Sequence, residues 1–151
     1  MLHSLHSFIS SFFHCSMNQS LPDIVAVYSV PCASLIPNIT EKYRSQLPVG
    51  IFPLPTPIEL CGKGSCEAEQ EYDNGGYSEK TVLQFNTTEE LTQNPPLAFV
   101  ITDAQGQSYI IGTREAPFPI VEISKTIDKE VHVNTVKVTF TRQKSLVPCF
   151  I

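Results

Sequence analysis

The chain has 151 residues, 42% of them hydrophobic and 17% charged, with 12 prolines and a formal net charge of −5. That length gives room for one domain around one core, and a charged fraction below the roughly 25% of soluble domains, with proline high, suits a proline-punctuated β protein better than a charged helical bundle. The ten Lys and Arg residues are scattered from Lys42 to Lys144 without a cluster, which argues against the basic footprint of a sequence-specific nucleic-acid binder.

In chain order, residues 1–16, "MLHSLHSFISSFFHCS", hold three of the four histidines and no Lys or Arg. They lack the positive start and unbroken apolar run of a secretory signal and are too short and serine-rich to span a bilayer. The expectation is an unstructured extension upstream of a start at Met17, no metal site from its histidines, no membrane partner, and a single β domain over 17–151. The five cysteines, Cys15, Cys32, Cys61, Cys66 and Cys149, are odd in number and irregularly spaced. A reducing compartment is the simpler assumption, and the glycosylation sequons at Asn18, Asn38 and Asn86 matter only for a chain secreted in a glycosylating host.

"DIVAVYSVPCASLI", from Asp23 to Ile36, is apolar on both faces and reads as a buried strand interrupted at Pro31. Residues 37–57 carry five of the 12 prolines and read as a surface connection, with one or two helical turns after Asn38, for which Glu41 completes a weak capping box. A long hairpin is expected around 58–86, turning at "YDNGGY", where Asn74 and Gly75 accept positive φ. Thr81, Leu83 and Phe85 share one face of its outgoing arm; Glu67, Glu69, Glu71 and Asp73 share a face of the incoming one. Thr87 or Thr88 is placed to cap a helical turn. A second hairpin, "LAFVITDAQGQSYIIGT", is apolar on both faces and belongs at the centre of a sheet. "IVEISKTI" alternates with Val121, Ile123 and Ile127 inward. "VHVNTVKVTFTRQ" changes phase, which predicts a β-bulge near Asn134 and Thr135. The whole is all-β, an antiparallel sandwich or barrel of about seven strands.

Catalytic signatures are missing from this pattern. His132 sits in a strand where a half-buried structural role is expected, and no "GxSxG" elbow occurs; no catalysis and no cofactor are expected. "CGKGSC", Cys61 to Cys66, lacks the second pair of ligands that structural zinc needs. Free thiols beside a glycine bend are preferred there, with a disulfide as the alternative in an oxidising setting. The acidic row on one strand face spaces its carboxylates about 7 Å apart, too far for several to hold one calcium ion. It reads as a solvated face that discourages unwanted pairing, or as a face selected for charge in an assembly. In "GTREAPFP" the expected role of Phe118 is to fold back on the core. The alternative is a contact loop in which Arg114 and Phe118 meet a partner, since Arg and aromatic residues dominate interfaces and Pro117 and Pro119 lower the ordering cost.

"PLAFVITDAQGQSYIIGTREAPFPIVEISKTID" and "NTVKVTFTRQKSLVPCFI", together about residues 96–151, resemble a group of small β proteins encoded in prophages of gut anaerobes. The shared features are a "D-x-x-G" hairpin, here Asp103 to Gly106, an "(I/V)-G-(T/S)-x-E-x-P" loop, here Gly112 to Pro117, and a last strand running to Arg and then proline, here Phe140 to Pro148. The resemblance implies a virion structural component of the phage tail or neck. Its partners would be copies of itself and other virion proteins, and its location the bacterial host cytoplasm and then the particle. The alternative function is a small secreted or surface binding domain of the host, extracellular, with Cys61 and Cys66 joined.

Overall fold

Period-two apolar patterning commits most of this chain to strands, because side chains two apart share a face. The computed structural model describes residues 18–37, 39, 49–50, 55–73, 76–92, 94–128 and 131–150, and eleven strands lie among them. These are β1 (Asn18–Ser20), β2 (Ile24–Pro31), β3 (Val49–Gly50), β4 (Thr56–Ile58), β5 (Ser65–Asp73), β6 (Gly76–Thr87), β7 (Leu97–Asp103), β8 (Ser108–Ile111), β9 (Ile120–Asp128), β10 (Val131–Arg142) and β11 (Val147–Phe150). A five-stranded sheet has the order β1-β5-β6-β10-β9 and a six-stranded sheet the order β3-β11-β8-β7-β2-β4. All pairs are antiparallel except β3 with β11. The fold is an all-β sandwich, and the strands beyond the expected seven are the short β1, β3 and β4 and the proline-containing β11.

Between the sheets lies one core, with Leu83, Phe85, Val136, Val138 and Phe140 from the five-stranded side and Ile24, Val27, Phe99, Ile101 and Ile111 from the other. The far face of the six-stranded sheet is buried as well. Val30, Ala98, Val100, Ile110, Val147 and Cys149 meet Cys32, Leu35 and Ile39 there, with Tyr28, Ile36 and Phe118 packed against them. A 3-10 turn at Cys32–Ser34 begins this cover. Apolar residues on both faces of β7 and β8 follow from their central position, as expected.

The hairpin expected around 58–86 begins later, at Ser65, because Ile58 belongs to β4 on the other sheet. Asp73 stands opposite Gly76, so two residues close it; Asn74 and Gly75 themselves lie outside the described residues. Gly64 exchanges two backbone hydrogen bonds of 2.9 Å with Ile24, and a Cβ there would come within 3.0 Å of the Gln84 carbonyl oxygen. Gly64 of "CGKGSC" therefore allows a close crossing between the sheets.

Four expectations are corrected. β10 has no bulge: its register with β6 and β9 is continuous, and Asn134, Val136, Val138 and Phe140 are all buried on one face. Val131 and Val133 lie on the opposite face by alternation, at an end where the hairpin overruns the core, and His132, on the face of Asn134, is exposed at that end rather than half-buried. The irregularity falls in β2 instead, between Ile24 and Ala26. Ile24 and Val27 are three apart yet both face the core, so one residue, the half-exposed Val25, must be extruded. Ile127 is not inward: it is 70% exposed near the tip of β9. Thr87 caps no helix; its Oγ1 accepts the Glu89 N–H at 3.1 Å and donates to the Glu59 carbonyl at 2.6 Å, tying a non-helical turn to the chain before β5. The capping box at Asn38 and Glu41, and the extension 1–16, lie outside the described residues.

Candidate interaction surface

The loop between β8 and β9 starts at Gly112, whose φ is +131°; a Cβ at this glycine would lie 2.6 Å from that of Ala98. Backbone that close to β7 excludes any side chain. Thr113, buried next to it, donates from Oγ1 to the Glu115 carbonyl at 2.8 Å. Arg142, at the end of β10, then gathers the loop: one Nη2 donates to Thr113 Oγ1 at 2.9 Å, to the Glu115 carbonyl at 2.7 Å and to the Pro117 carbonyl at 3.4 Å. The guanidinium stands 5.9 Å from the centre of the buried Phe140 ring, within cation–π range. Phe118 turns inward onto the second cluster, as expected, while Arg114 points to solvent.

Arg142 stands opposite Glu79 in the β10–β6 register, and Glu79 performs the matching task on the other side. Its buried Oε1 accepts from the Ser145 and Leu146 N–H groups, each at 2.8 Å, and from Ser145 Oγ at 3.1 Å. Lys144 Nζ lies 3.5 Å from its other oxygen, and Thr81 Oγ1 is 2.5 Å from Ser145 Oγ. Two opposite charges at one end of the five-stranded sheet thus clamp the two loops, β8–β9 and β10–β11, by which the chain crosses between the sheets, one each. Neither residue belongs to the expected site, although both continue an inward parity: Glu79 precedes Thr81, Leu83 and Phe85, and Arg142 follows Val138 and Phe140. Asp103 has a comparable role in the β7–β8 turn, where Oδ1 accepts from the Gln105 and Gln107 N–H groups at 2.9 and 3.1 Å, and Gly106 takes φ +88°. The motif residues quoted above, Asp103, Gly106, Gly112, Thr113, Glu115, Pro117 and Arg142, therefore all act in turn and loop architecture.

Of the acidic row, Glu67, Glu69 and Glu71 are exposed on the outer face of β5, opposite Val82, Lys80 and Ser78; Asp73 ends that strand. β1 covers part of the same edge, with Ser20 opposite Glu67 and Asn18 opposite Glu69. The row and the Arg114–Phe118 loop occupy different elements, and no ion pair joins them among the described residues. Nor do three His, Cys, Asp or Glu side chains converge on a metal-sized site among those residues. Cys61 is an exposed free thiol and Cys66 a buried one.

Sequence reasoning missed the ends of the five-stranded sheet. Beyond Glu79 the β5–β6 hairpin runs on past the core, presenting Tyr72 and Tyr77 as a directly opposed pair, rings 4.9 Å apart and edge to face, with Tyr72 76% exposed. At the opposite end the β9–β10 hairpin runs past Asn134, presenting Ile127, Val131 and His132. The signal was there to be read: apolar or aromatic residues continuing a strand beyond the reach of its partner sheet. Comparison with protein-family models, with curated proteins and with solved structures gave no match to this chain.

Proposed function

We propose that this protein is a virion structural component of a prophage, tail or neck associated, which works by contacts with copies of itself and with other virion proteins and performs no catalysis. The observation that carries the reading is the overrun of both long hairpins past the core, leaving Tyr72, Tyr77, Ile127 and Val131 exposed. Large aromatic and β-branched side chains held on rigid strands lose little entropy when they are covered, so a rigid sandwich with such ends suits repeated docking. The resemblance of residues 96–151 to prophage β proteins points the same way. Assembly in the host cytoplasm followed by residence in the particle agrees with thiols that are free in the folded chain.

The test is size-exclusion chromatography with light scattering over a wide concentration range, in reductant, followed by electron microscopy of the fractions. Discrete oligomers, rings or tubes are the expected result. A strict monomer at every concentration rejects self-assembly and leaves a single-copy binding domain.

A further inference from the structure

At the end marked by Arg142 and Glu79 the five-stranded sheet finishes as a staircase. β9 starts at Ile120, level with Thr139; β10 runs three residues further to Arg142, level with Glu79; β6 and β5 run three further again, to Gly76 and Asp73. At about 3.4 Å per residue each step is about 10 Å high. The high step carries Tyr72 and Tyr77, exposed on the inner face, and Glu71, exposed on the outer face beside them. Above the low step lies the β8–β9 loop, with Arg114, Ala116 and Pro117 exposed. Because this loop leaves one sheet and enters the other, it spans the gap between the layers, the same gap toward which the tyrosine face is turned.

We infer that this end is the self-contact of the protein: the Arg114 loop of each copy seats on the tyrosine hairpin of the other, in a closed two-fold dimer. This deepens the assembly reading above and rests on it. Turning one copy by half a turn about an axis perpendicular to the sheets, and setting it end to end on the first, opposes high step to low step on both sides and keeps layer against layer. Two complementary patches at opposite corners of one end therefore meet twice, as an isologous contact requires, with residue i on j and j on i. The same patches placed at opposite ends of the chain would meet once per pair and build an open row.

The chemistry of the two patches matches. Arg114 stands on a loop that Gly112 and the three Arg142 hydrogen bonds already order, so little freedom is lost when it is covered. It enters no ion pair among the described residues. A guanidinium is drawn to the face of an aromatic ring and to a carboxylate, and the hairpin offers both in Tyr72 and the adjacent Glu71. Lys80, the base on the hairpin itself, stands opposite Glu69 rather than Glu71, which faces Ser78. Charge complementarity in a molecule of net charge −5 therefore selects the Arg114 of a second copy. Ala116 and Pro117 beside it give the tyrosine rings an apolar surface to pack on.

Arg114 and Glu71 are exposed, so reversing either charge leaves the core untouched. Arg114→Glu and Glu71→Arg each break both contacts of the pair, and each is expected to weaken the sedimentation-equilibrium dimer about a hundredfold, about tenfold per contact, with unchanged melting temperature. Mixing the two variants restores the dimer, because a mixed pair sets opposite charges together at both contacts. Four outcomes overturn the inference. In the first, the wild type associates but ignores both reversals, which leaves the assembly reading standing. In the second, the mixture fails to recover, and in the third the smallest assembly of the wild type is not a dimer; the assembly reading survives both. In the fourth, the wild type is monomeric throughout, and the assembly reading falls too.

Discussion

Arg142 and Glu79 show how single charges at a strand end organise a sandwich. A guanidinium offering one nitrogen to three oxygens replaces the turn bonds that a proline-rich loop cannot make for itself. Arg142→Met keeps the stem packed but removes these bonds; a loss of about 2 kcal/mol is expected, read by urea denaturation, together with faster tryptic cleavage after Arg114. Glu79→Ala leaves two backbone donors and a hydroxyl buried without their acceptor, and about 3 kcal/mol is the expected loss; Glu79→Gln, which keeps an oxygen, should lose less. The cysteines make a separate prediction. Burial pushes the Cys66 thiol up to about 12, with Glu67 and Glu79 adding to it, and burial alone takes Cys149 to about 12 and Cys32 to about 11. In a Cys15→Ser protein, Ellman's reagent should therefore label Cys61 promptly and the other three only on unfolding. Their folded pKa values lie above the unfolded ones, so their contribution is complete below about pH 9 and is lost as pH rises toward 11 to 12. Denaturation midpoints should fall across that window, and fall less in Cys66→Ala.

At the scale of elements, the β8–β9 connection depends on a glycine with two reasons to be one. Gly112 combines φ +131° with a 2.6 Å approach to Ala98, so Gly112→Ala meets both backbone strain and a clash with a central strand. A loss of about 3 kcal/mol is expected by thermal denaturation, and Ala98→Gly in the same chain should recover only the steric part. Such a joint is legible only in part from sequence. "IIGTREAPFP" announces a loop with a flexible start and an extended aromatic, and Phe118 does fold inward. The partner that shapes the loop is a side chain 25 or more residues further on, which no local pattern identifies. The misplaced bulge has a similar origin. Val131 and Val133 break the parity of β10 because no second layer covers that end among the described residues, and parity reports burial only where a second layer exists.

For the molecule as a whole, the six-stranded sheet has two buried faces, and adjacent residues test it. Ile110 faces the second cluster and Ile111 the first, and both are fully buried. Ile110→Ala and Ile111→Ala should each lose about 2 to 5 kcal/mol in urea; a small loss for Ile110 alone would show that the cover built from Cys32 to Ile39 does not exclude water. What the sequence by itself determined is the β class, the two main hairpins, the central place of β7 and β8, and the outward acidic row. These follow from side-chain alternation and turn chemistry, both local properties of the backbone. Only the tertiary structure decided where β9 ends up. Its being an edge, the overrun of Tyr72, Tyr77 and Ile127 beyond the core, and the meeting of Arg142 with the loop at Thr113 depend on strand order and sheet length. Those are set by which apolar faces find each other across the sandwich, a long-range matter that no window of sequence contains.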